Sequence, residues 1–257
     1  MENWKAIAED IIKSIKVLKE ENNRLETENE ELKETISKIS YILKNEGYVP
    51  FETIKKETNT KTPVYDYQLI DLGLPSGTLW MDRNIGASSP EDAGLYFAWG
   101  ETQGYSADEV GKTKQFSWDD YKFNIIDDMT KYNSTDGLTT LETTDDAVLQ
   151  KCSMPTKEQL QELIDETTPT WTTQNGVNGR LFTSKTNGNS IFVPAAGYGG
   201  NGSMFGVGSY GGLWSSSLRE DDTNYAWSLF FNSDNARLNN NNRCNGKSVR
   251  GVVNIPI

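Results

Sequence analysis

The sequence LWSSSLREDDTNYAWSLFFNSDNARLNNNNRCNGKSVR, residues 213–250, mixes side chains that a core needs with side chains that a core excludes. The apolar residues that suit buried anchor positions are Trp214, Ala226, Leu229, Phe231 and Val249. The residues between or after these anchors that we expect to be exposed are Trp227, Ser228, Phe230 and 237–242. Aromatic and amide side chains held in water by a rigid frame are typical of a recognition surface. The stretch predicts either such a surface or a polar terminal hairpin with an Asn-rich turn.

The segment YAWSLFF, residues 225–231, is predicted to be a strand whose side chains alternate between two faces. Ala226 is out of step with Leu229 and Phe231 in that alternation. A bulge or a bend is therefore required if all three side chains are buried in one core.

The composition limits the possible functions. The chain has 257 residues, enough for one large domain or two small ones, and a formal net charge of −12. That charge argues against a protein that binds along nucleic-acid phosphates. Histidine is absent, which excludes histidine acid–base catalysis, Ser-His-Asp triads and histidine-ligated metals.

The cysteines and the N-terminus bear on the cellular compartment. Cys152 and Cys244 have neither a metal-ligand spacing nor a CxxC spacing, so we expect two unpaired thiols. No apolar run approaches the roughly 20 residues that a membrane span needs. Residues 1–14 lack the basic start, apolar stretch and cleavage site of a signal peptide. We expect synthesis in a bacterial cytoplasm without membrane insertion.

Residues 1–46 carry a heptad pattern with two seams. The first seam is Trp4, Ile11, Leu18, Leu25, Leu32 and Ile39, and the second is Ala8, Ile15, Asn22, Asn29, Ile36 and Leu43. Alternating steps of four and three predict a parallel coiled-coil stalk. The residues expected to form its oligomer interface are Ile11, Leu18, Asn22, Leu25, Asn29, Leu32, Ile36 and Ile39. One amphipathic helix packed on its own head domain is the alternative.

The two asparagines of the stalk bear on the oligomeric state. Asn22 and Asn29 fall at a positions when the leucine ladder is placed at d. A buried Asn costs stability but pairs with its own copy, so it selects register and chain number. Leu at d with Asn at a favours a dimer, whereas Ile in both seams favours a trimer. We prefer a homotrimer, because phage fibres commonly have that symmetry, and the asparagines keep a dimer open.

A linker and a head domain follow the stalk. Residues 47–66 lack periodicity and contain two prolines, so they predict a linker, and residues 67–257 form the head. The best helix pattern is 156–166 with Thr156 as N-cap, and residues 88–93 are a second, short candidate. The predicted strands are residues 68–72, 79–82, 96–100, 180–184, 190–194, 212–217, 225–231 and 248–253. The fold class is therefore α+β with little helix and much loop.

Several residues have expected structural roles. Arg243 and Arg250 flank the terminal strand, where Asp or Glu side chains of the frame could pair with them. Gly246 and the glycines of AAGYGGNG and GSYGG are expected in tight turns with positive φ. The tryptophans expected to fill the core are Trp80, Trp99 and Trp214.

Six segments of the head carry a family resemblance. They are DLGLPSGTLWMDRNIGA (71–87), GLYFAWGE (94–101), MPTKEQLQELI (154–164), NGRLFTSKTNGNSIFVPAAGY (178–198), GLWSSS (212–217) and NGKSVRGV (245–252). The head resembles the C-type-lectin-fold domains related to formylglycine-generating enzyme. It is most similar to those of Bacteroidales bacteria and their phages, many of which are variable proteins of diversity-generating retroelements. The stalk lies outside the resemblance.

The resemblance implies a compact, loop-rich frame that tolerates change in one C-terminal surface. Such retroelements copy template adenines with errors, so Asn codons become hypervariable, and the candidate template-like positions are Asn232, Asn235, 239–242 and Asn245. The residues implied to be displayed for ligand binding are Gly212, Leu213, Tyr225, Trp227, Ser228, Phe230, Asn232, Arg237, Asn239, Asn241, Cys244, Asn245 and Lys247. An Asn-rich loop that only turns the chain is the competing interpretation.

An enzymatic function is not favoured. The enzyme that gives the family its name uses a copper-binding cysteine pair, and neither Cys152 nor Cys244 matches a catalytic pair. Related enzymes that use histidine-ligated iron are excluded because histidine is absent. The acidic clusters of the head lack an EF-hand pattern, so we expect solvated acidic loops and predict no metal and no cofactor.

A binding function is favoured instead. A parallel stalk would place identical heads at one end, and multivalency raises avidity over single-site affinity by about 10²–10⁴. We therefore expect a receptor-binding or host-attachment protein of a phage virion, whose partner is a host cell-surface protein or glycan. The alternatives are a structural virion or surface protein whose head docks on another subunit, and a bacterial surface adhesin.

Overall fold

A computed structural model describes residues 67–148 and 152–254. The predicted stalk (1–46) and linker (47–66) lie outside the described residues, so the coiled coil stays a prediction. The described residues form a mixed α+β domain with one α-helix and many short strands, as the fold class predicted.

The α-helix, α1, is Lys157–Glu166. The 3₁₀ helices are Ala107–Glu109, Trp118–Asp120 and Thr143–Asp145. The strands are β1 Leu69–Asp71, β2 Thr78–Met81, β3 Tyr96–Phe97, β4 Thr167–Gln174, β5 Val177–Ser184, β6 Ser190–Pro194, β7 Tyr198–Gly200, β8 Ser203–Phe205, β9 Tyr210–Leu218, β10 Tyr225–Asn232, β11 Ala236–Asn242, β12 Lys247–Ser248 and β13 Val252–Asn254.

A five-stranded sheet in the order β11-β10-β9-β12-β3 contains most of the C-terminal stretch. Strands β9, β10 and β11 pair antiparallel in chain order, and β12 pairs parallel with β9. The other described sheets are β1-β2-β13, β4-β5-β6 and the hairpin β7-β8. Because β1 and β13 both pair with β2, the two ends of the described domain meet in one sheet.

Helix α1 begins where the sequence predicted. The Thr156 hydroxyl accepts from the backbone N–H of Gln159, and the Gln159 side chain accepts from the backbone N–H of Thr156. This reciprocal capping box satisfies two N–H groups that the helix itself leaves unpaired. Leu160 and Leu163 are fully buried, so the apolar stripe of the helix faces the core as expected.

Several segments differ from the predicted elements, and strands β7, β8 and β11 are among those that were not predicted. Residues 88–93 form a turn instead of a helix, because the Asp92 carboxylate accepts from the Ser88 N–H and hydroxyl. The predicted strand 248–253 divides at Arg250 and Gly251 into β12 and β13, which belong to different sheets. Strand β4 was not predicted, since its sequence TTPTWTTQ contains a proline and few apolar residues.

The largest difference lies in the asparagine run. Residues 239–242 belong to strand β11, and every residue of Ala236–Asn242 pairs with β10. Asparagine disfavours strands, so no strand was predicted over these residues, and an Asn-rich turn was the competing interpretation. Pairing with a central strand overrides that preference, and it holds the four amides on a sheet.

The core consists of two hydrophobic clusters. Trp99 and Trp214 belong to the first cluster and Trp80 to the second. All three side chains are 0% exposed, which confirms their predicted core role. The five predicted anchors are also fully buried, namely Trp214, Ala226, Leu229, Phe231 and Val249.

The buried arginines use other partners than the predicted carboxylates. Within the described part of the chain neither Arg243 nor Arg250 forms an ion pair, although both are 0% exposed. Arg250 donates to the Asn84 side-chain carbonyl and to the Phe192 backbone carbonyl. Neutral oxygens satisfy the guanidinium without burying a second charge, so the pairing with Asp or Glu that the sequence left open does not occur within the described residues.

The glycine prediction holds in part. Gly197, Gly202 and Gly208 have positive φ, as expected for turns. Gly246 does not belong to the residues with positive φ, and its role is close packing. A β-carbon there would lie 2.5 Å from the Phe116 ring.

Candidate functional site

Strand β10 is buried on opposite faces at its two ends. Ala226 packs in the first core cluster, whereas Leu229 and Phe231 pack in the second. The pairing of β10 with β11 is continuous along the strand, so the side chains of β10 alternate regularly. The expected irregularity instead lies in the pairing with β9, where Ala226 opposes Leu218 but Ser228 opposes Trp214. Ala226 does not alternate in phase with Leu229 and Phe231 because it is buried in a different core cluster, on the opposite face of the strand.

This arrangement separates the two aromatic residues that were predicted to share a surface. Trp227 lies on the Leu229 side of β10, and Phe230 lies on the Ala226 side. Both side chains are partly exposed. The candidate surface is therefore two surfaces, one on each face of the sheet.

The first surface, called here the Phe230 face, contains a row of aromatic rings. The Tyr198 ring stacks on Phe205 with centroids 5.3 Å apart, and it lies 6.1 Å from Tyr210. Tyr210 lies 5.8 Å from Phe230, and the Arg237 guanidinium carbon lies 4.5 Å above the Phe230 ring. All five side chains are partly or fully exposed, so the row meets solvent. Rigid rings of this kind offer contact area at low entropic cost.

A glycine holds the ring row in place. Gly206 has a φ of +68°, which favours glycine, and a β-carbon built there would lie 1.9 Å from the Tyr210 ring. The Tyr210 ring therefore occupies the space that any other residue at position 206 would fill.

Amide side chains continue the Phe230 face along β11. Arg237, Asn239 and Asn241 alternate toward that face, because they oppose Phe230, Ser228 and Ala226. The Asn245 amide donates to the Asn241 side-chain carbonyl at 2.6 Å. The partly exposed Asn239 side chain has no hydrogen-bond partner among residues 67–148 and 152–254. These amides can offer both donors and acceptors to a ligand.

The second surface, called here the Trp227 face, is smaller. The Lys157 ammonium of α1 lies 5.9 Å from the Trp227 ring, and the Arg219 guanidinium carbon lies 5.6 Å from the Tyr225 ring. Arg219 also donates to the Asn240 side chain at 3.3 Å. The rings of this face are therefore each covered by a cation of the frame.

Five residues predicted to be displayed are buried. They are Gly212, Leu213, Ser228, Cys244 and Lys247. Leu213 packs in the second core cluster and Cys244 in the first, because β9 and the chain after β11 cross the core. A β-carbon at Gly212 would lie 2.3 Å from the Leu229 carbonyl oxygen. Ser228 lies inside the sheet and donates to the Asn239 carbonyl.

The burial of Cys244 and Lys247 has electrostatic consequences. Burial raises the pKa of the Cys244 thiol to about 12, so this cysteine is not a reactive thiolate at neutral pH. Burial lowers the pKa of the Lys247 ammonium to about 8. Cys152 and Cys244 are free cysteines.

The remaining predicted residues lie on one face or the other. Tyr225 and Trp227 belong to the Trp227 face, whereas Phe230, Arg237, Asn239, Asn241 and Asn245 belong to the Phe230 face. Asn232 is partly exposed, but its side chain accepts from the backbone N–H groups of Asp234 and Asn235. Asn232 therefore shapes the turn between β10 and β11.

Sequence reasoning missed the aromatic row before β9. Tyr198, Phe205 and Tyr210 come from a glycine-rich segment, 197–212, outside the stretch proposed to vary. Aromatic residues among glycines lack the apolar periodicity of a buried strand. That lack of periodicity in segment 197–212 could have indicated that these rings are exposed.

The described residues contain neither a metal-site cluster nor a membrane-spanning helix. No three His, Cys, Asp or Glu side chains within residues 67–148 and 152–254 gather as a metal site requires. Over the same residues no helix has the length and apolar character to cross a membrane.

Comparison of the chain with models of protein families, with curated proteins and with solved structures finds no match in any of the three.

Proposed function

We propose that this chain is an oligomeric receptor-binding protein of a phage virion. Its head would be a C-type-lectin-like domain of the formylglycine-generating-enzyme type, and the Phe230 face would contact the host cell surface. The sequence resemblance supports this fold, and so does the loop-rich connection between β3 and α1, where only 3₁₀ helices occur among the described residues.

The aromatic row carries the proposal. Four rings and a guanidinium lie in sequence on one face, and the rings come from β7, β8, β9 and β10. Aromatic residues and arginine dominate the binding energy of protein surfaces, and sheet strands hold them in fixed positions. The amides of β11 supply adaptable hydrogen bonds beside the rings.

The stalk residues would multiply this surface. A homotrimer formed through residues 1–46 would present three Phe230 faces to one cell, with the avidity that multivalency gives. Light scattering of the full chain should give three chain masses. Replacement of Leu25 and Leu32 by serine should give a single-chain mass and weaker cell binding, with the near-ultraviolet circular dichroism of the head unchanged.

Cell binding of matched variants tests the proposal. Fluorescent full-length protein is incubated with a panel of bacterial strains, and a bound strain is then challenged with Phe230→Ala and Trp227→Ala. The two residues lie on the same strand with similar burial but on opposite faces. We expect Phe230→Ala to lose binding and Trp227→Ala to retain it. Equal retention by both variants would contradict the Phe230 face as the receptor surface.

The coding DNA offers an independent test of diversification. Among related genomes, adenine-linked changes should concentrate in the codons of exposed residues, such as Phe230, Arg237, Asn239 and Asn241. The codons of Leu213 and Leu229, which lie in the core, should remain constant. Changes spread evenly over both groups would contradict the idea of a diversified surface.

A further inference from the structure

Lys247 lies beneath the Phe230 face without a hydrogen-bond acceptor. The residue is 3% exposed, and its ammonium lies 5.5 Å from the Trp214 ring centroid and 5.8 Å from the Tyr198 ring centroid. Within residues 67–148 and 152–254 it forms neither a hydrogen bond nor an ion pair. The ring faces attract a cation but accept none of its three N–H donors in a conventional hydrogen bond. Burying a charge in this way is costly.

A second buried lysine, Lys114, has hydrogen-bond acceptors for its ammonium and can be compared with Lys247. Lys114 is 5% exposed and lies 5.8 Å from the Phe116 ring centroid, so its burial and ring contact resemble those of Lys247. Its ammonium also donates to the Glu101 carboxylate at 3.0 Å and to the Asp120 carbonyl at 2.6 Å. Lys247 lacks both kinds of partner within the described residues, so the ammonium of this largely buried side chain has no acceptor at the candidate surface.

The backbone of β9 leaves room beside the Lys247 ammonium. Gly212 lies opposite Phe230 in the sheet, and a β-carbon there would lie 3.4 Å from the Lys247 nitrogen. The absence of a side chain at this position places the ammonium directly beside the Phe230 face. Among the described residues, the only fully buried side-chain nitrogen or oxygen without a hydrogen-bond partner is the Trp80 indole nitrogen, so the Lys247 ammonium keeps some contact with solvent.

The charge of the face favours an anionic ligand. The whole chain carries a net charge of −12. Two cations nevertheless lie near the Phe230 face: Arg237 lies on the face and Lys247 lies beneath it. The other residues assigned to the face are uncharged, namely Tyr198, Phe205, Tyr210, Phe230, Asn239, Asn241 and Asn245. Two cations are too few to neutralise the many phosphates of a nucleic acid. They are sufficient to form ion pairs with a ligand that carries one or two carboxylates.

We propose that the Lys247 ammonium binds the carboxylate of an acidic sugar that docks on the Phe230 face. The inference rests on the proposed receptor-binding function and names its ligand class. The carboxylate accepts hydrogen bonds from the Lys247 ammonium, which has no acceptor within the described residues. The side-chain amides of Asn239, Asn241 and Asn245 form hydrogen bonds with the sugar hydroxyls. The rings of Tyr198 and Tyr210 provide flat apolar walls for the sugar ring.

Calorimetric titration of the full-length protein tests the proposal. The probes are sodium glucuronate, glucose and N-acetylglutamate amide at equal ionic strength, and the variants are Lys247→Met and Lys157→Met. Lys157 is the matched control, because it is a ring-contacting lysine of the opposite, Trp227 face. We expect glucuronate to bind and glucose to bind more weakly. Lys247→Met should weaken glucuronate binding by about tenfold or more, and Lys157→Met should leave it within about twofold.

Stability separates a ligand-binding lysine from a structural one. Lys247→Met removes a buried charge that has no acceptor, so the urea midpoint of unfolding should rise. A lower midpoint for Lys247→Met, or unchanged glucuronate binding, would overturn the proposal. Binding of N-acetylglutamate amide as tight as that of glucuronate would overturn the assignment to a sugar. If cell binding is lost in Phe230→Ala but kept in Lys247→Met, the receptor-binding function stands and the acidic-sugar inference fails.

Discussion

Two clusters each combine aromatic rings with an arginine, and one is closed whereas the other is open. In the closed cluster, the Arg243 guanidinium lies within 4.8 to 5.8 Å of the Trp99, Tyr121, Phe123 and Tyr132 rings. The open cluster is the aromatic row with Arg237 above Phe230. The same residue types therefore build the frame in one place and a candidate binding surface in the other.

The difference lies in ring geometry and in the use of donors. Rings of the closed cluster meet edge to face, with interplanar angles of 76° to 81°. Rings of the open row lie closer to parallel, at 26° to 37°. Arg243 donates to the Tyr121 hydroxyl and to three backbone carbonyls, whereas Arg237 donates only to its neighbour Asn235 within the described residues. Residue type alone does not distinguish the core cluster from the surface cluster. The number of hydrogen bonds that the arginine donates to the frame does distinguish them.

The largest expected effect is at the centre of the closed cluster. Arg243→Met leaves the carbonyls of Lys131, Tyr132 and Thr223 without their donor, so the free energy of unfolding should fall by about 3–5 kcal/mol. Urea unfolding followed by near-ultraviolet circular dichroism measures this loss. Arg243→Lys, which keeps the charge but not the planar fork, should lose less. A loss below about 1 kcal/mol for Arg243→Met would show that the cluster does not hold the frame.

The second largest effect is a gain in the free energy of unfolding, and it is expected for Lys247→Met. Burial lowers the pKa of this ammonium from 10.5 to about 8, so the unfolded chain holds more protons than the folded chain between those values. Lys247 therefore lowers stability most at neutral pH, and its penalty fades as the pH rises through 8. Lys247→Met should raise the free energy of unfolding by about 2–3 kcal/mol at pH 7, and by less at pH 9.

The difference between the wild type and Lys247→Met isolates this effect from other titrations. Burial raises the pKa of Cys244 and of Tyr96 to about 12, so both groups make stability fall as the pH rises above their ordinary values of 9.0 and 10.0. They contribute equally to both proteins. A difference that does not shrink between pH 7 and pH 9 would contradict the buried, unsatisfied ammonium.

A smaller effect is expected for the half-exposed rings. Phe230→Ala and Trp227→Ala should each lower the free energy of unfolding by about 1 kcal/mol, because each ring keeps part of its surface in water. Urea unfolding of the two variants measures these losses. Losses above about 3 kcal/mol would place the two rings with the core and would remove the distinction between the clusters.

The smallest expected effect is at Asn239. Its side chain has no partner among the described residues, so Asn239→Ala should change the free energy of unfolding by less than about 0.5 kcal/mol. Asn232→Ala is the matched control, since this side chain accepts two backbone N–H groups in the β10–β11 turn and should lose about 1 kcal/mol. Equal losses in differential scanning calorimetry would contradict the assignment of Asn239 to the open face.

The anchors of the C-terminal stretch were predictable and the faces were not. Apolar identity together with the alternation of strand side chains predicted that Leu229 and Phe231 are buried and that Phe230 is exposed. Ala226 fitted that scheme only with a bulge or a bend. The pattern does not show that two separate cores cover β10, and so Trp227 and Phe230 were wrongly placed on one surface. Which core covers a residue depends on helix α1 and the distant strands, and this information lies outside the stretch.

The prediction also failed in two further places. The family resemblance implied that Lys247 is displayed, whereas pairing of β12 with β3 and β9 carries this residue inside. Asparagine favours turns, so no strand was predicted over residues 239–242, whereas β10 supplies a pairing partner for each of them. Both errors fall at the candidate site, where local preference and function conflict.

A pair of libraries tests most directly the claim that the Phe230 face is open to change. One library randomises Phe230, Arg237, Asn239, Asn241 and Asn245, and the other randomises Trp99, Tyr121, Phe123, Tyr132 and Arg243. Resistance to protease measures the folded fraction of each library. We predict that most members of the first library remain folded and that nearly all members of the second do not. Equal loss of folded protein in both libraries would show that the Phe230 face belongs to the frame and would contradict the account.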